Sequence, residues 1–195
     1  MSLPLQIGLV LFPKLTQLDL TGPLQVFSSV PGATVHLIWK RIEPISSDSV
    51  MTLMPTTTFA DCPQLDVICV PGGVGTDDMV NDEEMLAFVR RQAEHAKYVT
   101  SVCTGSGLLA KAGWLDGKRA TTHWAWRERL GELGAIPVAE RVVFEPPVVT
   151  AAGVSAGIDM ALALTAREVG EEVAKAHKMR AETDTAAPFA EGSPR

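Results

Sequence analysis

The chain has 195 residues, 46% hydrophobic and 21% charged, which suits one domain with a substantial core and excludes collagen, disulfide miniproteins and disordered tails. Lys and Arg total 17 against 23 Asp and Glu, and the resulting charge of −6 has the wrong sign for a clustered basic nucleic-acid face. No run approaches the roughly 18 apolar residues of a membrane span.

The elements alternate along the chain. Residues 6–12 form a continuous apolar run closed by Pro13. The run has no basic segment before it and no small-residue cleavage site after it, unlike a signal peptide. A second strand-like run covers 35–39, and a third covers 66–70 and stops at Pro71-Gly72-Gly73. Residues 83–96 predict a helix with Met85, Leu86, Val89 and Ala93 on one face and Asn81 or Asp82 as its cap. The fourth strand, 98–102, runs into Cys103-Thr104-Gly105-Ser106-Gly107. Short helices follow at 108–112, ended by Gly113, and at 124–133, ended by Gly134. Residues 155–169 are apolar and alanine-rich, as in a largely buried helix. The polar tail 183–195, with Pro188, Gly192 and Pro194, predicts irregular structure. Near-continuous apolar strands alternating with helices predict one doubly wound α/β domain over 1–195, with a mostly parallel sheet covered on both faces.

Cys103 is the most informative residue. It joins a buried strand to a helix through small residues, as a nucleophile elbow does. The helix N-terminus there favours a thiolate. In open α/β sheets ligands also bind beyond the carboxyl ends of the strands. Cys69 lies within a strand and reads as core; Cys62 reads as an ordinary loop residue. The three cysteines make no even framework and no metal-ligand spacing, which points to a reducing cytoplasm and no metal.

Asp19 lies between leucines soon after the first strand, where desolvation would raise its pKa and suit it to general-acid work. On spacing alone its place before Thr21-Gly22-Pro23 fits a helix N-cap better, and the two roles are compatible. Gly72 and Gly73 can turn backbone N–H groups toward an oxyanion or simply make a tight turn. His123, in Thr121-Thr122-His123-Trp124, fits either a Cys–His pair or a structural role at a helix start.

Several segments together resemble the ThiJ/PfpI superfamily. They are Val70-Pro71-Gly72-Gly73, Ser101-Val102-Cys103-Thr104-Gly105-Ser106, Thr121-Thr122-His123-Trp124 and Gly153-Val154-Ser155-Ala156-Gly157-Ile158-Asp159. Gln17-Leu18-Asp19-Leu20-Thr21-Gly22-Pro23 and the Ala187-Pro188-Phe189 tail make the chain most similar to the isocyanide hydratase branch. The resemblance implies a flavodoxin-like fold related to class I glutamine amidotransferases.

It also implies a cofactor-free lyase reaction between an isocyanide and water. Cys103 would attack the terminal carbon, Asp19 would act as general acid, and Thr104 would lie beside the sulfur. Gly72, Gly73, Ala152, Gly153 and His123 would line the substrate or oxyanion site. A homodimer is implied as well. Many members have a glutamate where this branch has Asp19. Two departures stand out: Ala151-Ala152-Gly153 replaces a run of three glycines, and the sequence ends near Arg195 where similar hydratases often continue into a further helical segment. The alternatives are a glyoxalase or deglycase using the same Cys103, and a ligand-sensing domain like that of AraC-type regulators. The latter needs a helix-turn-helix segment for which 195 residues leave no room.

Overall fold

The computed structural model describes residues 5–182, so the expected irregular tail lies outside the described residues. The central sheet begins with β1 (Gln6–Val10), which is followed by α1 (Gln17–Phe27) and β2 (Thr34–Trp39). A small hairpin of β3 (Ile45–Ser46) and β4 (Thr52–Leu53) then precedes β5 (Thr57–Thr58). β6 (Val67–Val70), α2 (Thr76–Met79), α3 (Glu83–Ala93) and β7 (Tyr98–Val102) follow, and then α4 (Ser106–Lys111). β8 (Arg119–Ala120), α5 (Arg127–Glu132) and β9 (Ile136–Pro137) form an outlying unit. β10 (Val142–Glu145) and β11 (Val148–Ala151) return to the main sheet, and α6 (Ala156–Val169) and α7 (Glu171–Arg180) complete the described chain.

The sheet has seven strands in the order β10-β11-β7-β6-β1-β2-β5. Every pairing is parallel except β10 with β11. Helices α1 and α6 pack together on one side, and α3 and α4 on the other. This is the flavodoxin-like doubly wound sandwich that the alternating pattern predicts. β6 and β7 are buried at nearly every position, which explains the unbroken apolar sequence of β6; β7 also buries the polar Thr100 and Ser101. No helix among the described residues is long and apolar enough to cross a membrane.

The chain leaves β1 toward β2 on one side and returns to β6 on the other. The order therefore reverses at the β1–β6 boundary, and a crevice opens beyond the carboxyl ends of these strands. α1 follows β1 there, Pro71-Gly72 follows β6, and Cys103 follows β7.

Several boundaries differ from the sequence reading. The first strand ends at Val10, although Leu11 and Phe12 remain fully buried. The expected helix over 124–133 is divided: Trp124–Trp126 is one turn of 3₁₀-helix, and α5 starts at Arg127. Asp82, one of the two expected caps, accepts from the Met85 N–H at 2.9 Å. The 171–180 helix and the β10–β11 hairpin were not expected.

The helix expected to be capped at Asp19 is α1, which starts earlier, at Gln17, and contains Gly22 and Pro23. Tertiary packing overrides their poor helix propensity. Gly22 lies against Ile158, and Pro23 lies against Gly157 of α6, where any Cβ would come within 3.0 Å of the proline ring. Small residues thus let two helices cross closely over β7.

Candidate functional site

Cys103 adopts a left-handed conformation, with φ of +57°. Its backbone is held from both ends. Its N–H donates to the Ala152 carbonyl at 2.8 Å, and its own carbonyl accepts from the Thr122 hydroxyl at 2.9 Å and the Ser106 hydroxyl at 3.2 Å. These anchors maintain a conformation that a non-glycine residue adopts at a cost. The side chain is 6% exposed.

Asp19 lies in the first turn of α1 and is fully buried. Its Oδ2 accepts from the Gly72 N–H at 3.0 Å. Its Oδ1 has no conventional N–H or O–H partner among the described residues. The Cys103 thiol lies close enough to the carboxyl for each group to shift the other's titration. Asp19 is therefore not the helix cap. Thr16 occupies the cap position, and the aspartate points across the strand ends to the neighbouring loop.

Burial raises the Asp19 carboxyl to about 7, with the Asp48 charge adding to it, against the lowering effects of Gly72 and Cys103. The sequence reading has the helix N-terminus favouring a thiolate at Cys103. Instead, burial first and the Asp19 charge second push this thiol up to about 12, while N–H groups of Thr104 and Val154 oppose the rise. The 3₁₀ turn at Cys103–Gly105 and the short α4 give only limited compensation. The sulfur thus rests as a thiol beside a buried carboxyl rather than as a free thiolate.

Thr104 is held by a separate network. Its Oγ1 accepts from the Gly73 N–H at 2.9 Å and lies 2.9 Å from the Thr76 hydroxyl. Gly72 cannot be larger: a Cβ there would fall 2.5 Å from both Thr104 N and Thr104 Oγ1, and 3.0 Å from Asp19 Oδ2. The Gly72 and Gly73 N–H groups are spent on Asp19 and Thr104 rather than turned toward an oxyanion. The donors at the sulfur are Thr104 and Val154. Val154 has φ of +39°, a strained value for a β-branched residue. Nothing in its sequence neighbourhood signals that role.

The sulfur opens on a cavity of about 260 Å³. Gly73, Thr104 and His123 lie in its wall, as the sequence reading expects, together with Val154. Thr16, Val74, Asp77 and Trp126 also line it and were not foreseen, because three of the four lie on elements the sequence pattern left undefined. His123 caps the 3₁₀ turn, its Nδ1 accepting from the Ala125 N–H at 3.4 Å, so it has the structural role while its ring walls the cavity. Gly153 lies behind that ring, 3.0 Å from Cδ2 at its Cβ position. Ala152 contributes its carbonyl to Cys103 and does not line the cavity. No three His, Cys, Asp or Glu side chains converge as a metal site among the described residues.

Residues 6–167 match the model of the DJ-1/PfpI family. The chain is 54% identical over 190 residues to an isonitrile hydratase from Pseudomonas putida, an alignment covering 97% of this chain and 83% of that one. A crystal structure of a ThiJ/PfpI family protein from Pseudomonas syringae superposes with a TM-score of 0.93 at 40% identity, covering 96% of this chain and 78% of the other. The HTH-type transcriptional regulator GbdR from Pseudomonas aeruginosa is 28% identical over 89% of this chain, which spans 49% of the regulator.

Proposed function

The chain belongs to the DJ-1/PfpI family, and from that premise we propose that it hydrates isocyanides to N-substituted formamides, with Cys103 as nucleophile and Asp19 as general acid. The observation that carries this reading is the buried Asp19 carboxyl beside the thiol of Cys103, a residue that lines an open cavity of about 260 Å³. The similarity to an isonitrile hydratase supports the substrate class.

The chemistry balances without a cofactor. The Cys103 sulfur bonds to the terminal carbon of R–N≡C, and that carbon takes the Asp19 proton, giving a thioimidate, R–N=CH–S. Water then adds across C=N, its hydroxyl going to carbon and its other proton to nitrogen. When the C–S bond breaks, the new hydroxyl returns a proton to the Asp19 carboxylate and becomes the formamide carbonyl. The thiolate is regenerated, and the sum is one isocyanide plus one water. Thr104 and Val154 N–H groups favour the anionic sulfur at the start and the end of the cycle.

The site suits a neutral substrate, since its reacting groups are a carboxyl, a thiol and backbone N–H groups. We further propose a cytoplasmic homodimer; three free cysteines among the described residues fit a reducing compartment.

Incubation with cyclohexyl isocyanide, with formamide measured by chromatography, tests the reading. Turnover is expected in the wild type, abolished in Cys103→Ser and reduced at least about 100-fold in Asp19→Asn, the range for a lost acid catalyst. A wild type that leaves the isocyanide untouched but consumes methylglyoxal belongs with the glyoxalases. Consumption of neither substrate points to ligand sensing.

A further inference from the structure

We infer that Trp126 is the specificity-determining residue of this site, the immobilised wall against which the substituent on the isocyanide nitrogen lies. The inference rests on the isocyanide reading above and assigns the part of the substrate that does not react.

The substrate's own shape sets its direction in the site. The carbon, the nitrogen and the first atom of the substituent of an isocyanide are collinear. With the terminal carbon at the Cys103 sulfur, the substituent must project straight away from the elbow into the 260 Å³ cavity. Asp19 and the Thr104 and Val154 N–H groups lie at the sulfur, while Thr16, Asp77 and His123 add polar groups elsewhere in the wall. Trp126 is the largest apolar side chain in the cavity wall.

The indole is fixed from two directions. It packs against α4 at Gly107, where a Cβ would lie 2.5 Å from Cζ3 and 3.0 Å from Cη2, so any larger residue would push the ring away. Arg129 stacks over it, with the guanidinium carbon 4.4 Å from the ring centroid. Arg129 is in turn tied to Asp77 Oδ1 at 2.5 Å, and Asp77 is itself part of the cavity wall.

This ion pair joins α5 to α2. Both elements are short, and neither would fix a side chain on its own. An exposed ion pair contributes little to global stability. Here its effect is to hold one ring in place. A stiff aromatic wall discriminates by shape and favours planar or cyclic apolar substituents that cover it over compact ones that leave it bare.

The experiment compares kcat and KM for phenyl and methyl isocyanide in the wild type, Trp126→Ala, Trp126→Phe and Arg129→Gln. Trp126→Ala is expected to lower the phenyl-to-methyl ratio of kcat/KM about tenfold, mainly through the KM for the phenyl substrate. Trp126→Phe should restore most of that ratio. Arg129→Gln, an exposed change that keeps the indole, should lower the ratio by a smaller factor, about threefold. A ratio unchanged in both Trp126→Ala and Arg129→Gln overturns the inference while leaving isocyanide hydration intact. So does a loss confined equally to kcat for both substrates. Absence of wild-type turnover overturns the functional reading and this inference together.

Discussion

Asp19 and Cys103 hold two protons below about pH 7 and one between about 7 and about 12. In that window the pair carries a single negative charge. A thiol beside a carboxylate and a thiolate beside a carboxylic acid then differ only in which group holds the remaining proton. The second arrangement is the one that attacks, and it forms as the pair loses its first proton. Reaction of Cys103 with iodoacetamide should therefore rise through pH about 7, not near the 9.0 of an ordinary thiol. Mass-spectrometric labelling rates across pH would show this inflection, and Asp19→Asn should lack it. The same burial carries a cost in stability. The Asp19 pKa is raised from 3.8 to about 7, so the folded state binds more protons than the unfolded chain between these values. Stability is thus greatest below 3.8 for this group and falls as pH rises through 7, by about 4 kcal/mol in total. Asn keeps the acceptor for the Gly72 N–H and has no charge to bury. Asp19→Asn should therefore melt higher than the wild type at pH 8 while losing turnover, and the difference should shrink at pH 5. Equal melting temperatures at both values would contradict this assignment of the charge.

At the scale of elements, what could be read from the sequence follows from how locally each element is determined. β6 and β7 are buried on both faces and advertise themselves as apolar runs. α3 has an apolar face, a capping aspartate and basic residues in its last turn, all local signals. Of α1 only a candidate cap at Asp19 could be read, because Gly22 and Pro23 argue against a helix, and the reason they are tolerated lies far along the chain in Gly157 and Ile158 of α6. α7 has one buried residue, Ala174, and so little apolar pattern to detect. The site divides in the same way. Cys103 and Asp19 could be nominated from small-residue turns and flanking leucines. Val154 could not, since its contribution is a backbone N–H in a strained conformation. Trp126 and Asp77 line the cavity from separate segments, which the Arg129–Asp77 ion pair brings together. Thr16 and Asp48, joined at 2.7 Å, likewise come from segments separated by the whole of β2.

At the scale of the whole molecule, the doubly wound order places three loops at one end of the sheet, and the site requires all three. A homodimer is the assembly proposed for this chain, in keeping with the prevalence of twofold oligomers. The segment between β2 and β5 exposes Ile42, Val50, Met51 and Met54, an apolar group suited to burial against a second copy. Sedimentation equilibrium should give about twice the 20.9 kDa of one chain; a single-chain mass at micromolar concentration would refute the dimer. The far edge of the main sheet has a different consequence. β5 contributes only Thr57 and Thr58, and its pairing to β2 covers two residues. An unfolded neighbour arriving at that edge finds a template too short to nucleate a ladder. The sheet thus resists recruitment into fibrils where a full-length strand would invite it.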